Sequence, residues 1–147
     1  MIKMTSTLMV SADKLPFDEV TECLGTQPTL THRREDARRP ERAKDWWMLK
    51  VREIYQIPTF HNGEWDGPHP AIMTQLDQIH QAVADGAERF ARWSQDHDVE
   101  VFIEVMVHSE DEDTPLMELT PDFMRLAVTL DATMSFGVYT NVKVTND

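Results

Sequence analysis

The chain has 147 residues, 41% of them hydrophobic and 27% charged, with 14 Lys+Arg against 26 Asp+Glu for a net charge of −12. These figures describe one soluble globular domain able to bury its own core, and they argue against anionic membranes and nonspecific DNA, whose phosphates repel an acidic surface. Cys23 is the only cysteine, so an internal disulfide is excluded and a reducing, cytoplasmic setting is the natural expectation.

Met4 to Ser11 alternates and reads as a first strand. Pro16 to Leu24 reads as a short helix, with Phe17, Val20 and Leu24 on one face and Gly25 suited to a left-handed C-cap. Gln27 to Lys44 is a long polar connection. Trp46 to Tyr55 reads as a second strand, in which adjacent Trp46 and Trp47 must point to opposite faces. Ile57 to Pro70 reads as loop, although Asn62-Gly63 suits a hairpin turn.

Ala71 to Gln95 carries apolar residues at three- and four-residue steps and predicts a long helix, broken or kinked at Gly86. Val99 to His108 is the clearest strand, apolar on the side of Val99, Val101, Ile103, Val105 and Val107, and half polar on the other. Leu116 to Leu119 reads as a short strand. Thr120-Pro121-Asp122 opens a helix running to Leu130. Thr133 to Asn141 closes the chain as a strand, with Met134, Phe136 and Val138 sharing a face and a polar tail after it. The expected fold is α+β, a two-layer sandwich with a mainly antiparallel or mixed sheet of about four to six strands and helices on one face, in a single domain over residues 1–147.

Charge is unevenly placed. Between Arg33 and Arg52 eight basic residues stand against four acidic ones, so that segment is +4 and the remainder −16. Arg33, Arg34, Arg38, Arg39 and Arg42, with Trp47 nearby, compose a candidate anion or nucleotide site, because guanidinium forks bind phosphate and carboxylate bidentately. The competing reading pairs these arginines with the chain's own carboxylates. Asp96, Asp98, Glu100, Glu104 and the run Glu110, Asp111, Glu112 and Asp113 compose a candidate surface for a basic protein partner.

Glu100, Glu104 and His108 share a strand face, but residues four apart on a strand lie about 13 Å apart, beyond the separation that paired glycosidase carboxylates use. The histidines match no metal-binding spacing, the acidic run lacks calcium-loop spacing, and no phosphate-cradling glycine motif is present. No metal or cofactor is expected.

The landmarks Leu24-Gly25-Thr26-Gln27-Pro28-Thr29, the arginines Arg33, Arg34, Arg38 and Arg39, the strand at Trp46-Trp47, the alternating Val99 to Val107 and Leu119-Thr120-Pro121-Asp122-Phe123-Met124 resemble a bacterial domain-of-unknown-function family, the one numbered 4279. The stretch Ile57 to Pro70 departs from the pattern as an insertion. The resemblance implies a small cytoplasmic α+β domain and supplies no catalytic residues. Together the readings lead to a non-enzymatic acidic binding protein, in its specific form an immunity protein neutralising a toxin domain, with an anion-binding regulatory module as the alternative.

Overall fold

The computed structural model describes residues 1–111 and 113–140. Four strands build an antiparallel run and a fifth joins in parallel. β1 (Ile2–Ala12) lies at the centre, between β3 (Asp45–Tyr55) and β6 (Glu100–Ser109). β2 (Leu30–His32) pairs with the far side of β3, and β7 (Thr133–Thr140) pairs parallel with β6. The order is β2-β3-β1-β6-β7. β4 (Phe60–His61) and β5 (Glu64–Trp65) form a separate hairpin. Its turn, Asn62-Gly63, has positive φ at both positions, as a type I′ turn requires.

Alternation along the strands decides which face is covered. Ile2, Met4, Leu8 and Val10 of β1, Trp47 of β3, and Val101, Ile103, Val105 and Val107 of β6 are buried on one side. The α-helices among the described residues lie there: α1 (Phe17–Leu24), α2 (Ile72–Val83), α3 (Ala87–Gln95) and α4 (Pro121–Thr129). Val20 and Leu24 from α1, Ile72, Leu76, Ile79 and Val83 from α2, Phe90 from α3, and Phe123 and Leu126 from α4 complete one apolar cluster. The α+β reading and its one-sided helical layer therefore hold. Two polar groups enter this layer and are satisfied there. Gln75 donates to the Met4 carbonyl at 3.0 Å and accepts from the Ser6 hydroxyl at 2.7 Å. The Trp47 indole N–H donates to Thr21 Oγ1 at 3.0 Å.

The termini of the elements follow local chemistry. The Thr120 hydroxyl accepts from the Phe123 N–H at 3.2 Å, with Pro121 in the first turn of α4. Gly25 takes φ 75° at the end of α1. The expected break at Gly86 is present, as a 3₁₀ turn between α2 and α3, and its cause is tertiary. A Cβ on Gly86 would lie 2.3 Å from the Cys23 carbonyl oxygen and 2.6 Å from that of Leu24. The α2–α3 junction thus presses against the last turn of α1. Arg89 seals the same point, donating to the carbonyls of Cys23 at 2.9 Å and Glu22 at 3.3 Å.

Three expectations change. The polar connection 27–44 contains β2, an edge strand of three residues whose side chains are exposed. Leu116 to Leu119 forms no strand. Leu116 makes one parallel bridge to Ala71, donating to the Pro70 carbonyl and accepting from the Ile72 N–H, which ties down the start of α2. On β7, Met134, Phe136 and Val138 do share the helix side, but Phe136 and Val138 remain 46% and 45% exposed. β7 packs against β6, with Met134 partly buried against the core and Phe136 and Val138 beyond it. The expected end of that strand at Asn141 and the tail beyond it lie outside the described residues.

Gly86→Ala separates two opposed effects. Helix propensity favours alanine by about 1 kcal/mol. The backbone carbonyls of α1 cannot yield as a flexible side chain would, and such overpacking costs about 1–3 kcal/mol. The net outcome expected is a lower urea midpoint than wild type; an increase would mean the α1–α3 junction opens without cost.

Candidate functional site

Asp45 organises the basic connection. It is 4% exposed at the start of β3. Its Oδ1 accepts from the Arg34 N–H at 2.7 Å and its Oδ2 from the Leu15 N–H at 2.9 Å. The Arg33 guanidinium adds a longer contact at 3.4 Å and lies over the Phe17 ring, 4.2 Å from its centroid. Burial pushes the Asp45 carboxyl up, but the Arg34 and Leu15 backbone donors and the Arg33 charge outweigh it and hold the group below the ordinary carboxylate value. Arg33 also donates to the Leu15 carbonyl, and Arg34 Nε donates to the Pro40 carbonyl.

This changes the anion site expected from sequence. Arg33 and Arg34 do line a cleft of about 410 Å³ with Lys14, but Asp13, Glu35 and Asp45 line it too. Both arginines already serve the connection. Trp47 is fully buried with its indole nitrogen bonded to Thr21, so it cannot stack on a ligand there. Arg38 and Arg39 are exposed and make no ion pair among the described residues.

The sheet face opposite the helices carries a different surface. The pairing register sets Leu30, Met48, Met9 and Phe102 side by side across β2, β3, β1 and β6. Met9, Met48 and Phe102 are half-buried and Leu30 is exposed. Trp46, half-buried, lies 6.1 Å from Phe102 between ring centroids. Beside this apolar row run Lys50, Thr7 and Glu104, then Arg52, Thr5 and Met106. Among the described residues no helix crosses this face.

The acidic residues expected to bind a partner divide along β6. Asp96, Asp98 and Glu100 stand at its beginning, Glu104 in its middle on the open face, and Glu110 and Asp111 just past its end. Asp98 and Glu100 line a cleft of about 210 Å³ with Lys14, Lys44 and His97. Glu100 pairs with Lys44 at 3.6 Å, both side chains well exposed, a contact worth little in water. Ser11, fully buried in the same cleft, has a hydroxyl without a partner among the described residues. At the far end Glu110 lines a second cleft of about 210 Å³ with Lys3, Ile54, His108 and Tyr139, where His108 stacks on Tyr139 at 5.0 Å. Asp113 is exposed, and Glu112 lies outside the described residues. Glu100, Glu104 and His108 are thus separate neighbours of Lys44, Thr7 and Tyr139, not one acid–base set.

Another cleft, of about 590 Å³, lies beside the β4–β5 hairpin and is lined by Tyr55, Ile57, Pro58, Asp66, His69 and Pro70 among others. Asp66 there accepts from the Thr59 N–H and His69 packs edge-on to Trp65, while the buried Tyr55 hydroxyl has no hydrogen-bond partner among the described residues. Burial pushes the Cys23 thiol up, which keeps it protonated near neutrality. Among the described residues no three His, Cys, Asp or Glu side chains converge on a metal position. No helix among them is long and apolar enough to cross a membrane.

The row Leu30–Met48–Met9–Phe102 was not singled out from sequence. Its signal was present: Met9 and Phe102 interrupt the polar sides of two alternating strands.

A mixed sheet with helices on one face and an open, partly apolar second face defines an open-faced α+β domain. The chain belongs to the family described as Domain of unknown function (DUF4279), whose model matches residues 2–141 and so takes in the stretch 57–70. No curated protein and no solved structure matches it.

Asp45→Asn replaces an acceptor pair facing two N–H groups with an amide, and loses about 2 kcal/mol at neutral pH by urea unfolding. The pH dependence has a definite sign. Because the folded carboxyl is depressed, its contribution is complete above the unfolded value of about 3.9 and is lost as pH falls through the lower folded value. Wild-type stability therefore drops more steeply than that of Asp45→Asn below about pH 4. Parallel acid limbs would remove Asp45 from this role.

Proposed function

We propose that this chain is a non-enzymatic binding protein that docks a basic protein partner on its open sheet face. In its specific form it is an immunity protein that occludes a basic toxin domain in the bacterial cytoplasm. The observation that carries the reading is the apolar row Leu30–Met48–Met9–Phe102 with Trp46 beside it, uncovered by any helix among the described residues. An aromatic and methionine patch on a rigid sheet is a recurrent docking surface. Glu104 and Glu100 flank the row along β6, and the net charge of −12 steers a basic partner toward the molecule. The acidic clusters beyond both ends of β6 act on approach and the apolar row acts on contact.

The test purifies the product of the neighbouring gene and titrates it against the full chain by calorimetry. A complex is expected at low salt that weakens steadily as salt rises. Trp46→Ala and Phe102→Ala each weaken it by about tenfold or more, while circular dichroism confirms both variants are folded. Absence of a complex at low salt, or one indifferent to both substitutions, refutes docking on this face.

A further inference from the structure

Among the described residues β7 ends the sheet. One side of the strand bonds to β6, and among the described residues every second N–H and C=O on the other side has no strand partner. Proteins blunt such edges with short strands, prolines, charges or a covering element. The opposite edge follows that practice, since β2 is three residues long. β7 runs eight residues, Thr-Met-Ser-Phe-Gly-Val-Tyr-Thr, without a proline or a charged side chain. The other long strands all carry charge: Lys3 on β1, Lys50, Arg52 and Glu53 on β3, Glu100 and Glu104 on β6.

The apolar core also runs out through this edge. Ile103, Val105 and Val107 of β6 are buried, and their register partners on β7 are Met134, Phe136 and Val138. Phe136 and Val138 stay nearly half exposed on the same face. On the open face, Gly137 fits under Met106, where a Cβ would lie 2.9 Å from the sulfur, and Tyr139 stacks on His108. Both contacts hold β7 against β6.

We propose that two copies of this chain pair through β7, antiparallel about a twofold axis, joining two five-stranded sheets into one ten-stranded sheet. The pairing sets Met134, Phe136 and Val138 against the same residues of the second copy and carries the core row across the junction. Charge selects the occupant. Two chains of −12 repel wherever their carboxylates meet, and β7 is the long strand on which no charges oppose each other. A basic partner gains no Coulomb attraction from it. A neutral apolar strand is self-complementary in the antiparallel sense. The contact is small, so the dimer is weak and depends on concentration.

Sedimentation of the full chain over a concentration series tests this. The mass is expected to rise from 17.0 kDa toward twice that value. Added salt strengthens the dimer by screening the mutual repulsion, the reverse of its effect on a basic partner, so this proposal and the docking reading fail separately. Phe136→Lys and Val138→Lys each weaken association by about tenfold or more, because each places an ammonium group in the apolar row that crosses the junction. Val128→Lys, on the 79% exposed position of α4, leaves it unchanged. Hydrogen exchange of Thr133–Thr140 amides slows as wild-type concentration rises, a readout that needs no variant. A monomer at every concentration and salt, a dimer indifferent to both β7 lysines, or concentration-dependent protection at Met9, Met48 and Phe102 in place of β7 overturns the proposal.

Discussion

The even-numbered side chains of the central strand carry the architecture. Ile2, Met4, Leu8 and Val10 face the helices at full burial, while Lys3, Thr5, Thr7 and Met9 face away. Because side chains alternate with a period of two, a slip of one residue would exchange these sets and bury Lys3. The register with β3 and β6 is therefore fixed by solvation. It follows that one face alone can hold a helical layer. The helices meet each other through the Gly86–Leu24 contact and Arg89, so the layer has its own lateral joint. Whatever the molecule recognises on its sheet, it presents from a rigid, register-locked surface.

Asp45 gives the basic segment a structural reason. A carboxylate held by two backbone N–H groups fixes the chain where it returns from the arginine-bearing connection into β3 and also fixes the β1–α1 turn at Leu15. Arg33 adds a charge at long distance and spends the rest of its surface on Phe17. Part of the apparent segregation of charge is thus local folding chemistry. The carboxylates elsewhere are less constrained, and among those described few are paired. The field that a partner would sense comes from them.

Much of the fold was legible because it rested on local rules. Gly25, Asn62-Gly63 and Thr120-Pro121 each announced an element boundary through backbone or capping chemistry. The period-two run at Val99–Val107 identified a half-buried strand. What was not legible rested on partners distant in sequence. β2 has no apolar pattern, since an exposed edge strand needs only the hydrogen bonds of β3. Leu116 to Leu119 resembled a strand, but the Leu116 side chain is half exposed and only its backbone bridges the residues before α2. Trp46 and Trp47 were correctly divided between faces, but which tryptophan faced inward depended on the pairing of Val10 with Trp47. For the same reason the sequence placed Trp47 beside a ligand site when its place is the core. The apolar row on the open face exists only once four strands are laid side by side.

The topology also has a cost in time. β1 is made first and sits in the middle, yet its second neighbour, β6, ends at Ser109. At translation rates of about 5–20 residues per second, roughly 5–20 s pass between the emergence of the two strands. For the part of that interval after β3 is complete at Tyr55, a nascent chain that has zipped β1 to β3 displays the other side of its central strand. The helices made meanwhile can shield its apolar face but not that open hydrogen-bonding flank. A protein wired this way depends, while still on the ribosome, on the second half of its sheet arriving before a neighbouring polypeptide does.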